Sequence, residues 1–143
     1  MTHPLDLSAL HKAITSLADG LGIVENEAWF AAQPRAVQNT LLAGVIQNFE
    51  FVFELSVKMI KRRLEADAFT PEEVDASNFR DVLRAAGERG LVQDVEAWFT
   101  YRALRGATSH TYDQDKARQV FDRIPQFLLD AHALLAALEA RNG

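Results

Sequence analysis

The longest uninterrupted apolar pattern constrains this chain most. Between Arg35 and Glu65, Leu42, Val45, Ile46, Phe49, Val52, Phe53, Met59 and Ile60 fall on one helical stripe,. A helix over that span is about 45 Å long at 1.5 Å per residue. It needs helical partners to cover the stripe, and Leu7, Leu10, Ile14, Leu17 and Leu21 provide one, at 3-4-3-4 spacing,. That first helix should start near Asp6, and Gly20 and Gly22 should weaken or end it,. No Val/Ile/Thr-rich alternating run is present, so no sheet is expected,. The pattern predicts an all-α, up-and-down bundle of four to five helices with a long second helix and a kinked last helix.

The remaining boundaries follow from local chemistry. Segment 23 to 33 lacks a clear period, with Trp29 and Phe30 expected to pack back onto the core. Pro34 suits the first turn of the long helix,. Thr70-Pro71-Glu72-Glu73 fits a capping box, and Ser77 can cap a helix running to about Glu88, with Gly90 as its stop,. Leu91, Val92, Val95, Trp98 and Phe99 should face inward on the next helix, ending near Leu104. Thr111-x-x-Gln114 opens the last helix, which carries Val120, Phe121, Ile124, Phe127, Leu128, Leu135 and Leu138. Pro125 should kink it by removing the bond to the Phe121 carbonyl,.

At 143 residues the chain reads as one domain, 1–143,. The absence of cysteine excludes disulfides, thiolate metal sites and cysteine catalysis together,. The N-terminus shows no secretory leader and no uncharged apolar run approaches 18 residues, so the cytoplasm is expected and no membrane association,. Net charge is −5, against the basic balance usual in nucleic-acid binders,. The cations are nevertheless bunched, at Lys58, Lys61, Arg62 and Arg63, at Arg80, Arg84 and Arg89, and at Arg102 and Arg105. Solvated helix faces account for these bunches, and a local phosphate-attracting patch is the alternative. Glu54 and Lys58 are placed for an i,i+4 pair,. Glu50 and Glu54 are one turn apart, but no histidine follows a glutamate by three residues, so a di-iron bundle site is rejected and no metal site is expected,.

One stretch gathers chemistry that the bulk composition does not call for. Arg105-Gly106-Ala107-Thr108-Ser109-His110-Thr111-Tyr112, followed by Asp113, holds a permanent cation, an imidazole and a phenol in a chain with four histidines and two tyrosines. Five residues apart on one straight helix, Arg105 and His110 would point about 140° away from each other. Gly106 and Thr108-Ser109 are punctuation, so Arg105 should end one helix and His110 and Tyr112 should begin the next, converging at a corner,. Taken singly, each is more simply a cap, an ion-pair partner or a packed ring. His3, His11 and His132 are expected at solvent edges or in the N-terminal segment.

The ordered set Arg105-x4-His110-x-Tyr112 resembles the signature of HepT-like HEPN proteins, also known as nucleotidyltransferase substrate-binding proteins. Phe49 to Ser56 resembles that family's long second helix, as does Leu83-Arg84-Ala85-Ala86-Gly87 leading to Gly90-Leu91. The resemblance runs from about Leu7 to Leu138 and implies a metal-independent endoribonuclease toxin. In it, Arg105 and His110 would be catalytic and Ser109 and Asp113 supporting. It also implies a homodimer, an RNA substrate with tRNA among the candidates, and a minimal nucleotidyltransferase antitoxin that adenylylates Tyr112. The chain itself would need no cofactor, whereas that partner would use ATP and Mg. The alternative is a non-catalytic substrate-binding subunit of a two-component nucleotidyltransferase. Family members often carry Asn directly after the arginine, where this chain has Gly106.

Overall fold

The computed structural model describes residues 4–68, 72, 74, 78–110 and 114–142, without the side chains of His110, Gln114 and Asp115. Among them are six α-helices, one 3₁₀ turn and no strand: α1 (Ser8–Glu25), α2 (Glu27–Ala31), α3 (Arg35–Asp67), α4 (Phe79–Glu88), α5 (Val95–Ala107), the turn Thr108–His110, and α6 (Gln114–Arg141). The all-α bundle expected from the periodicity is observed. α3 is its spine, packed against α1, α4, α5 and α6.

α1 buries Leu10, Ile14, Leu17 and Leu21, the stripe read from the sequence. Its start is marked by Asp6, whose carboxylate accepts the Ser8 hydroxyl at 2.6 Å and the Ser8 amide at 3.0 Å. Those two donors hold the Asp6 carboxyl below the usual carboxylate range,. The helix does not stop at Gly20 or Gly22. A Cβ on Gly20 would lie 3.2 Å from Val45 Cγ2, so this glycine lets α1 approach α3 closely, and packing overrides its poor propensity,. Trp29 is 43% exposed rather than part of the core. The five residues of α2 are too few to lay a stripe on the bundle, and none is buried,.

α3 covers the span read from the sequence and two residues more, with Pro34 just outside it as the N-cap. By length and composition alone it could cross a membrane. Its buried face, Val45, Ile46, Phe49, Val52, Phe53, Met59 and Ile60, is packed into the core. Thr70, Pro71, Glu73 and Ser77, expected as capping residues, lie outside the described residues. α4 is capped by Asn78, whose side chain accepts the Asp81 amide at 2.9 Å,. It ends in a Schellman motif: Leu91 N donates to Ala86 O at 2.9 Å and Gly90 N to Gly87 O at 3.1 Å, with Gly90 at φ 76°,.

Leu91 and Val92 are buried in the connector rather than on α5, which begins after Asp94 caps Ala97 N at 3.1 Å. A Cβ on Gly87 would meet Val95 Cγ2 at 2.5 Å, so that glycine sets the approach of α4 to α5. α6 continues through Pro125 and buries Val120, Ile124, Phe127, Ala131, Leu134 and Leu138. At the centre, Phe127 meets Phe49 edge-on at 4.8 Å, Tyr101 at 4.9 Å and Trp98 at 5.8 Å,. The Tyr101 hydroxyl donates to Asp130 on α6. Burial, and then this carboxylate, push its pKa well above the ordinary phenol value,.

Candidate functional site

The motif stretch does not break where its glycine suggested. α5 runs past Leu104 to Ala107, and the turn Thr108–His110 continues from it directly. Gly106 sits exposed inside the helix, and a Cβ there would meet nothing within 4 Å, so packing does not require glycine at this position. Thr108 tightens the helix end: its hydroxyl donates to Arg105 O at 2.7 Å, and its backbone amide also bonds that carbonyl. This leaves the last turn in 3₁₀ form. Ser109 makes a similar local bond, its hydroxyl donating to Gly106 O at 3.2 Å. Arg105 therefore lies in the last turn of α5, and His110 closes the turn that follows. The corner expected directly after Arg105 is not there, since helix and 3₁₀ turn run on to His110; the last helix, α6, spans Gln114–Arg141. Tyr112 and Asp113 lie outside the described residues, as does Thr111.

Arg105 is the best-defined element of the site. Its Nε and Nη2 both donate to Glu54 Oε1, at 3.1 and 2.7 Å. Nη2 also lies 3.6 Å from Glu50 Oε2, and Nη1 donates to Thr108 Oγ1 at 3.2 Å. The hydrogen bond to Glu54 raises the Arg105 pKa further, with both carboxylates adding to it, so the charge is permanent at any working pH,. The Arg105 side chain is 34% exposed and that of Glu54 53%. This is an open site that already binds an anionic oxygen, on a fork suited to carboxylate or phosphate.

Glu54 and Glu50 are the site residues the sequence reading missed. Glu54 was expected to pair with Lys58, but its carboxylate is turned to Arg105. Their signal was present, because each follows a core phenylalanine, Phe49 or Phe53, and so sits at the rim of the buried stripe. All three basic bunches also prove heterogeneous. Arg63 is 1% exposed. The Arg80 guanidinium lies 4.7 Å from the Phe99 ring centroid, and that of Arg102 lies 4.4 Å from Phe79.

Comparison with known proteins agrees with this geometry. Residues 5–140 match the family model described as nucleotidyltransferase substrate binding protein like. A Haemophilus influenzae protein named probable ribonuclease HepT is 46% identical over 142 residues, which is 99% of this chain and 97% of that one. A solved Haemophilus influenzae structure, described as the fold of a substrate binding domain of a nucleotidyltransferase, superposes with a TM-score of 0.91 at 45% identity, covering 94% of this chain and 99% of the other. A Thermus thermophilus structure gives 0.70 at 25% identity, over 90% and 98%. The helical bundle and the full-length match together show that this chain belongs to the nucleotidyltransferase substrate-binding-protein-like, or HepT-like, family.

Proposed function

We propose that this protein is a metal-independent endoribonuclease, the toxin of a toxin–antitoxin pair, acting on RNA in the cytoplasm. The observation that carries the reading is Arg105, a half-open guanidinium already holding a carboxylate oxygen, with His110 closing the turn that follows. RNA brings its own nucleophile in the 2′-hydroxyl. In the proposed reaction that oxygen attacks the adjacent phosphorus, its proton passes to a base, and the P–O bond to the 5′-oxygen breaks as an acid protonates the leaving group. A 2′,3′-cyclic phosphate and a 5′-hydroxyl result. His110, with an unperturbed pKa near 6.5, suits either proton transfer, and Arg105 neutralises the crowded phosphate oxygens. One chain supplies one such histidine, so acid and base together call for a homodimer. A minimal nucleotidyltransferase, using ATP and Mg, would switch the site off by adenylylating Tyr112, because a phosphate beside Arg105 competes with that of RNA.

The test is cleavage of total small RNA in EDTA, wild type beside His110→Ala. Wild type should cut, with the variant at least about 100-fold slower. The family description and the solved relative favour a second reading, a non-catalytic subunit that presents substrate to a nucleotidyltransferase. If neither protein cuts, and the wild type is dimeric and unmodified by mass, that second reading replaces the first.

A further inference from the structure

The cations of α4 and α5 are arranged in a way the proposed chemistry does not use. Arg80 lies over the ring of Phe99 and Arg102 over the ring of Phe79, while the two rings are themselves 6.1 Å apart. The result is an interleaved ladder of two guanidiniums and two aromatics across the α4–α5 contact. Arg80 and Arg102 are exposed, and among the described residues neither has an ion pair or hydrogen bond. Arg105 and Arg63 have both found carboxylates.

The ladder adjoins the candidate site. Arg102 precedes Arg105 by three residues on α5, which makes their side chains neighbours on the helix surface,. Phe79 packs on Phe53 at 6.2 Å, and Phe53 directly precedes Glu54. We propose that Arg80, Phe99, Phe79 and Arg102 form a subsite for single-stranded RNA, holding the nucleotides that flank the phosphate at Arg105. The inference rests on the ribonuclease reading. Each guanidinium lies within cation–π distance of a ring while its side chain stays exposed, so part of its N–H edge and planar surface can meet a ligand,. The edge suits phosphate oxygens and the face suits an unstacked base. Duplex RNA offers no splayed bases, so the subsite selects single strands.

The test uses the full-length chain carrying His110→Ala, so that RNA is bound and not cut, with a fluorescein-labelled 20-nucleotide single-stranded RNA of mixed sequence. Against this parent, adding Arg80→Gln and Arg102→Gln should raise Kd about tenfold. It should also flatten the salt dependence of log K by about 1.4, from about 0.7 for each lost phosphate contact on a single strand. Adding Arg80→Lys and Arg102→Lys instead should keep the salt slope and lose only part of the affinity, because charge remains while planarity goes. This pair also guards against a fold defect in the Gln variants. Unchanged Kd and slope with a lowered melting temperature would overturn the proposal and make the ladder a staple between α4 and α5. Unchanged RNA binding with lost binding to a minimal nucleotidyltransferase would overturn it in favour of a protein-docking surface. If the parent binds no RNA at any salt concentration, the ribonuclease reading fails along with it, whereas the other two outcomes sink the subsite alone.

Discussion

Arg63 and Arg105 each face a carboxylate, yet their side chains are 1% and 34% exposed. Arg63 lies near the end of α3, where Nη1 donates to Asn142 Oδ1 at 3.3 Å and Nη2 lies 3.2 Å from Asp67 Oδ1. Asn142 in turn grips the backbone of Leu5, accepting from its N–H and donating to its carbonyl, each at 2.9 Å. One buried cation thus ties the last helix, the spine and the N-terminal segment together. Among the described residues its Nε and Nη2 make no hydrogen bond, so this charge bears a desolvation cost that its partners only partly offset,. Arg105 has the same chemistry at the solvent edge, where water makes up for any partner that leaves. A buried guanidinium is a fixture, whereas a half-exposed one can exchange its carboxylate for a phosphate.

Substitutions at the two arginines should therefore separate activity from stability. Arg105→Ala should lower RNA cleavage by about 10²- to 10³-fold, the usual loss on removing one transition-state donor. Its urea midpoint should barely move, because exposed ion pairs contribute no more than about 1 kcal/mol. A destabilisation above about 2 kcal/mol would erase the contrast. Arg63→Ala should show the reverse, losing about 3 kcal/mol in urea denaturation while the folded protein keeps its cleavage rate. Arg63→Met should cost less, since it fills the volume without a buried charge.

Smaller effects sharpen the picture of Arg105. Glu54→Gln removes the competing anion but not the volume, so KM for RNA should fall roughly threefold with kcat nearly constant, in line with a weak exposed pair. A tenfold loss of kcat instead would mean that Glu54 orients Arg105 during the reaction. The smallest effect concerns the core phenol. Tyr101→Phe should cost about 1 kcal/mol, the net worth of one hydrogen bond. The raised pKa of Tyr101 means that the folded state keeps its proton after the unfolded chain has lost it, so this stabilisation is complete below about pH 10 and declines above it,. Urea midpoints between pH 9 and 11 should show the decline in the wild type and a weaker one in the variant.

The helical content, the buried stripes of α1 and α3 and the Gly90 stop were all legible in the residues. Each depends on neighbours within a turn or two, where spacing alone decides which side chains share a face. Other features were misread for the same reason. Gly20 and Gly106 are helix breakers by local propensity, but one lies against Val45 and the other inside a turn tightened by Thr108. Trp29 looked like core because it is large and apolar, although none of the residues of α2 is buried.

By itself, then, the sequence determined that this is a helical bundle, which residues line its core, and that a cation and an imidazole lie five positions apart. Only the tertiary structure decided which carboxylate that cation meets, across 51 residues of chain. It likewise decided which arginine is buried against Asn142 and which two lie over aromatic rings. The physical reason is one of range. Helical periodicity follows from covalent geometry that every short segment carries, whereas an ion pair between helices exists only once packing has fixed their rotation and separation.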